Sequence, residues 1–158
     1  MSKLFKTQIR IFIVDDSKLF LIKLRRLLEH ISVTKFSNIL NIRVSDNPKK
    51  AIHELTETRF DIVFVDDVFR ESNLSGRDIL RVIAPRHTLT AHHMLVSGRK
   101  LIARVNPLCS DISTMKQISK CDINELILCK LIAAAIQRKA TVQNKSAVVK
   151  EFRRACEQ

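Results

Sequence analysis

Short runs of β-branched and aromatic residues alternate with longer amphipathic segments along this chain, and this alternation limits its fold more than any other feature. The first run, at 9–14, is apolar on both faces, as in a strand buried in a parallel sheet. Ser17 follows at a helix N-cap position. Large apolar residues then recur at helical spacing, namely Leu21, Leu24, Leu28 and Ile31. This segment therefore predicts a strand followed by a helix.

The same strand-then-helix pattern recurs downstream. Further short apolar runs lie at 39–44, 62–65, 94–96 and 115–119. Asn47 and Pro48 are typical of a helix start, whereas Pro85 predicts the end of the third helix and Pro107 predicts a short or broken helix within 99–114. The alternation predicts an α/β fold: an open five-stranded parallel sheet with helices on both faces, flavodoxin-like and doubly wound.

Composition indicates a globular chain with an excess of positive charge. The 158 residues are 46% hydrophobic, and 28 Lys and Arg against 16 Asp and Glu give a net charge of +12. We expect one domain at 1–137 and a basic tail at 138–158 that could be helical and is too short for an output module. The charge is spread along the chain, and Trp and Tyr are absent, so nucleic acid is a conceivable partner that the sequence does not favour.

Several classes of function and location are disfavoured by what the sequence lacks. Gly76 and Gly98 are its two glycines, so it has neither a dinucleotide-binding glycine motif nor a phosphate-binding P-loop. The four cysteines form no C-x-x-C pair, which predicts reduced thiols and a cytoplasmic location. The apolar run at 11–14 is too short for a signal peptide or a membrane span.

Polar residues follow four of the five predicted strands. Asp15 and Asp16 follow the first, Asp66 the third, Ser97 the fourth and Lys120 the fifth. Taken singly, each of them could be a helix cap, a turn residue or a solvated side chain. In a parallel sheet all of them meet at one edge, where clustered carboxylates favour Mg²⁺, and a lysine and a hydroxyl could complete a pocket for a phosphoryl group.

Four sequence motifs, in this order and spacing, resemble the receiver domain of two-component response regulators. They are IRIFIVDDS at 9–17, DIVFVD at 61–66, MLVS at 94–97 and SKCDINEL at 119–126. Each motif is weak by itself, whereas all of them in register are specific. The resemblance extends over about residues 9–137.

The resemblance implies a role for each of these positions. Asp66 would be the phosphoacceptor, Asp16 would bind Mg²⁺ directly, and Asp15 would support the ion, often through water. The main-chain carbonyl of Val68 would be a further ligand. The implied function is signalling rather than turnover of a substrate.

The resemblance also implies partners. Ser97 would hydrogen-bond the phosphoryl group and Lys120 would pair with the aspartyl phosphate. The donor would be a histidine kinase or a histidine phosphotransfer protein, and the output would be contact with a downstream protein target or relay of the phosphoryl group.

Some positions depart from the pattern of receiver domains. Cys121 replaces the usual proline after the lysine, Gln117 replaces a switch aromatic, and Asp67 adds a carboxylate after the acceptor. These departures favour an alternative, a receiver-like adaptor that is not phosphorylated and binds protein or nucleic acid through its basic, apolar C-terminal surface. A third alternative, an aspartyl-phosphate phosphohydrolase, lacks the second aspartate expected at Val68.

The last predicted helix runs from a cap at Asp122 to about Gln137 and carries two apolar stripes. One stripe is Ile123, Ile127, Leu131 and Ala134, and the other is Leu128, Ile132 and Ile136. Because a helix on a sheet needs one apolar face, the second stripe predicts a cover. That cover would be the tail, a second copy forming a homodimer through the helix at 122–137, or another protein.

Overall fold

The computed structural model describes residues 8–87, 92–98 and 115–156. Its helices and strands follow in the order β1 (Ile9–Val14), α1 (Lys18–Lys35), β2 (Leu40–Ser45), α2 (Pro48–Glu57), β3 (Ile62–Asp66), α3 (Gly76–His87), β4 (His92–Ser97), β5 (Met115–Ser119) and α4 (Glu125–Cys156). A single 3₁₀ turn, Lys120–Asp122, lies between β5 and α4. The short or broken helix expected within 99–114 lies outside the described residues.

The five strands form one parallel sheet in the order β2-β1-β3-β4-β5. One apolar cluster joins α1 and α4 to one face of this sheet, and a second cluster joins α2 and α3 to the other face. The predicted doubly wound α/β fold is confirmed. We call the edge formed by the C-terminal ends of the strands the carboxyl edge.

Side-chain caps fix the starts of α1 and α2 at the predicted residues. Ser17 Oγ accepts a hydrogen bond from the backbone N–H of Phe20 at 3.4 Å. Asn47 Oδ1 accepts from the backbone N–H groups of Lys49 and Lys50 at 3.0 and 3.1 Å, and Pro48 occupies the first turn of α2. Each cap satisfies N–H groups that have no partner within the helix. Because the two caps directly follow the ends of β1 and β2, both helices begin at the carboxyl edge.

The end of α3 and the start of α4 differ from the sequence expectations. Helix α3 continues past Pro85 to His87. A proline removes one backbone hydrogen bond from a helix, and in the last turn this loss is small enough for the helix to continue. Helix α4 is capped by Asn124 instead of Asp122, since Asn124 Oδ1 accepts from the N–H of Ile127 at 3.1 Å. Asp122 is part of the preceding 3₁₀ turn.

The expectation that one stripe of α4 needs an external cover is wrong. Leu128 and Ile132 are 1% and 0% exposed and pack in the cluster formed by α1 and the sheet. The buried positions 128, 131, 132 and 135 span an arc of roughly 100° on the helix, so a single buried face takes residues from both predicted stripes. The argument for a homodimer through 122–137 thereby loses its basis.

Helix α4 continues without a break through Gln137 to Cys156. Lys139 ties it to the opposite edge of the sheet, where its Nζ donates to the carbonyl oxygen of Gln8 at 2.7 Å and to Asp61 Oδ2 at 3.0 Å. The domain division after residue 137 stays a prediction. Within the described ranges, no helix has the length and apolar character needed to cross a membrane.

Candidate functional site

Three aspartates come together at the carboxyl edge. Asp15 and Asp16 follow β1, and Asp66 ends the neighbouring β3, so the pairing of Val14 with Val65 brings the carboxylates together. One oxygen from each carboxylate lies within 4.8 Å of the others. The structure thus assembles the acidic cluster that the strand-end spacing predicts.

Each of these carboxylates accepts a hydrogen bond from a backbone N–H group, and for Asp66 Oδ1 the donor is the N–H of Asp67 at 3.1 Å. The N–H of Ser17 donates to Asp15 Oδ1 at 2.8 Å, and the N–H of Arg70 donates to Asp16 Oδ2 at 2.9 Å. The contact between Arg70 and Asp16 joins the loop after β3 to the loop after β1. It restrains the Asp16 carboxylate, and sequence reasoning missed it.

Lys120 supplies the positive charge of the site. Its Nζ lies 2.6 Å from Asp15 Oδ2 and 3.2 Å from Asp66 Oδ1. Burial opposes the charge of this ammonium group, but the Asp15 and Asp66 carboxylates outweigh burial and raise the pKa of Lys120. Lys120 is therefore a fixed cation between the two buried carboxylates.

The environment of Asp66 opposes the ionisation of its carboxyl group. Burial, and after it the charge of Asp15, raise its pKa to about 6, although Lys120 partly opposes the shift. Its side chain is 8% exposed, so water screens these interactions poorly. An additional positive charge placed beside this carboxylate would therefore stabilise its ionised form.

Ser97 lies at the strand end where the sequence predicts it, whereas the role of the Val68 carbonyl stays a prediction. Ser97 is buried at the end of β4, one residue beyond the partner of Asp66 in the sheet. Val68 follows the cluster with an exposed side chain, and its backbone pairs with Ser75. Asp67 is directed elsewhere, because its carboxylate lies 3.5 Å from Arg77 Nε.

The cluster fits a small divalent cation. The three carboxylates offer oxygen ligands, which Mg²⁺ prefers in proteins. Asp15 Oδ2 is buried and lies 2.6 Å from Lys120 Nζ. A carboxylate oxygen has more than one lone pair, so this contact leaves Asp15 Oδ2 able to bind a cation as well. A cavity of about 670 Å³, lined in part by Asp16, Asn47 and Arg70, opens beside the cluster.

The raised pKa of Asp66 predicts a pH dependence for the metal-free protein. A carboxyl whose pKa rises on folding stabilises the native state below its unfolded pKa of 3.8, and this contribution is lost as the pH rises through about 6. Asp66→Asn removes the titration. We expect the variant to gain about 2 kcal/mol in unfolding free energy relative to wild type between pH 4 and pH 7.5. Urea unfolding in EDTA measures this gain, and a constant difference across that range would contradict it.

Comparisons with known proteins reveal similarity in structure alone. Neither the family models nor the curated proteins include a match to this chain. Among solved structures, a response regulator receiver domain protein from Clostridium thermocellum is 21% identical with a TM-score of 0.66. The signal receiver domain of an HD domain-containing protein from Pseudomonas fluorescens Pf-5 is 15% identical with the same TM-score.

A receiver domain protein from Methanospirillum hungatei JF-1 is also similar, at 15% identity and a TM-score of 0.65. Each of these three alignments covers 85% of this chain and 98% of the other chain. Identities at this level show shared architecture alone, which agrees with the five-stranded parallel sheet. The chain therefore adopts the fold of response regulator receiver domains, as the sequence motifs implied.

Proposed function

We propose that this chain is a Mg²⁺-dependent phosphoacceptor that receives a phosphoryl group on Asp66 and signals through protein contacts. The observation that carries the proposal is the position of the Asp66 carboxylate: buried at the carboxyl edge, clustered with Asp15 and Asp16, and 3.2 Å from Lys120 Nζ. This arrangement supplies an oxygen nucleophile together with the positive charge that phosphoryl transfer needs.

The transfer forms one bond and breaks one bond. An Asp66 carboxylate oxygen bonds to phosphorus while the bond between phosphorus and the donor's imidazole nitrogen breaks, and the imidazole keeps the electron pair. Lys120 stabilises the charge on the transferring oxygens, and the buried Ser97 hydroxyl at the end of β4 offers a hydrogen bond to one of them. Bound Mg²⁺, held by Asp15, Asp16, Asp66 and the Val68 carbonyl, would neutralise further negative charge.

The same proposal names the partners. A phosphohistidine donor is a histidine kinase or a histidine phosphotransfer protein, and the cavity beside Asp16 leaves space for an approaching side chain. The output is contact with a downstream protein or onward relay of the phosphoryl group. We place this signalling in the cytoplasm, where such donors are phosphorylated. The protein itself turns over no external substrate.

The proposal is tested with the purified full chain and a small acyl-phosphate donor. We expect intact-mass spectrometry to detect the gain of one phosphoryl group in Mg²⁺ and none in EDTA. Asp16→Ala should gain no more phosphoryl group in Mg²⁺ than in EDTA, because it lacks a ligand for the ion. If wild type gains nothing in Mg²⁺, the unphosphorylated adaptor is the better interpretation, and continuous release of inorganic phosphate would favour the phosphohydrolase.

A further inference from the structure

Lys120 stands in an unusual setting for a lysine that must be held in one place. It opens the 3₁₀ turn directly after β5, and the residue after it is Cys121, which is exposed and supplies no proline ring to stiffen the chain. A lysine stem has four rotatable bonds, so ordering it costs entropy that fixed neighbours must offset. Contacts other than a proline must therefore hold it.

The first such contact comes from an aromatic ring. Lys120 Nζ lies over the ring of Phe20, 4.6 Å from its centroid, which is cation–π geometry. Phe20 is half-buried in the apolar cluster of α1 and the sheet, and its backbone N–H is fixed by the Ser17 cap of α1. The ring is thus anchored to the same loop region that carries Asp15 and Asp16.

The second contact comes from the backbone of the turn itself. Ser119 is buried at the end of β5, and its Oγ accepts a hydrogen bond from the N–H of Cys121 at 3.3 Å. The hydrogen bond joins the residue before Lys120 to the residue after it and so stabilises the turn. It restricts the direction in which the lysine stem leaves the sheet.

We infer that Phe20 and Ser119 are positioning residues, which hold the Lys120 ammonium beside Asp66 in the absence of the usual proline. This inference rests on the proposed function. The ring attracts the ammonium whether Asp66 is a carboxylate or an acyl phosphate, because the ring carries its own quadrupole. Lys120 therefore stays in place while the charge on Asp66 changes during transfer.

The reaction arm of the test compares variants at Phe20. Phe20→Leu should slow phosphoryl uptake from the acyl-phosphate donor by about tenfold, and Phe20→Tyr, which keeps a ring, should restore most of the rate. Phe36→Leu is the matched control, because Phe36 packs against the same apolar cluster and has no described contact with Lys120. Equal rates for Phe20→Leu and Phe36→Leu would overturn the inference.

A second arm needs no donor. In the NMR spectrum of the metal-free protein, the Lys120 Hε protons should be shifted upfield by the ring current of Phe20. The shift should disappear in Phe20→Leu and persist in Phe36→Leu. If it is identical in wild type and Phe20→Leu, the ring does not hold the lysine and the inference fails.

Ser119→Ala provides an independent variant should Phe20→Leu fold poorly. It should also slow uptake, and Ser119→Thr, which retains the hydroxyl, should restore it. Unchanged uptake in Ser119→Ala would remove Ser119 from the role. A failure of the proposed function differs from all these results, because it would appear as an absence of uptake in the wild-type protein itself.

Discussion

Lys120→Met should destabilise the metal-free protein by about 3 kcal/mol at pH 7, because removing one partner of a buried ion pair leaves the other charge uncompensated. Here two carboxylates lose their partner at once, Asp15 at 2.6 Å and Asp66 at 3.2 Å. Methionine keeps the length of the side chain, so the loss reports charge and not volume. Urea unfolding in EDTA measures it.

The loss should shrink at pH 5, where protonation of Asp66 removes one of the two unpaired charges, and Mg²⁺ at pH 7 should restore part of the stability. Lys35→Met is the matched control. Lys35 forms an ion pair with Glu125 at 3.1 Å in which both side chains are about half exposed, so its loss should cost far less than the loss of Lys120. Similar losses for the two variants would contradict the placement of Lys120 between two buried carboxylates.

Gly76→Ala should destabilise the protein by about 3 kcal/mol and weaken its response to Mg²⁺. Gly76 is the first residue of α3, and a Cβ atom there would overlap the carbonyl oxygen of Asp66. The same atom would lie 2.9 Å from both the carbonyl carbon of Asp66 and Leu95 Cδ1. Because backbone cannot move aside as a flexible side chain does, the substitution should displace Asp66.

Gly98→Ala controls for the general effect of replacing glycine by alanine. An added Cβ at Gly98 has no described atom within 4 Å. Its unfolding free energy should stay within about 0.5 kcal/mol of wild type. If Gly76→Ala is equally well tolerated, the close approach of α3 to Asp66 is not present in solution.

The sheet and the acidic cluster could be predicted from sequence because both depend on local patterns. Each strand is a short apolar run, and a parallel sheet brings all its carboxyl ends to one edge, so Asp15, Asp16 and Asp66 had to meet there. The caps at Ser17 and Asn47 were equally predictable, since a cap depends on residues two or three positions away.

The contacts that position the cluster could not be predicted because they join residues far apart in the chain. The N–H of Arg70 reaches Asp16 across 54 positions, and Phe20 meets Lys120 across α1 and β5. Neither contact has a sequence signal, since the first uses a main-chain N–H group that any residue but proline provides.

The error on α4 has a similar origin. Sequence periodicity places residues around a helix but does not show how wide a face the neighbouring layer covers. Leu128 and Leu131 belong to different predicted stripes, yet both are buried in the same cluster. The breadth of that cluster is set by α1 and the sheet together, which only the folded chain reveals.

The assignment of the acceptor is the central claim, and the site of phosphorylation tests it most directly. Wild type, Asp66→Asn and Asp67→Asn are incubated with Mg²⁺ and the acyl-phosphate donor, and their intact masses are compared. Asparagine is nearly isosteric with aspartate, so each variant should keep the fold. We expect wild type and Asp67→Asn to gain one phosphoryl group and Asp66→Asn to gain none. A phosphoryl group on Asp66→Asn would contradict the account and place the acceptor at another residue.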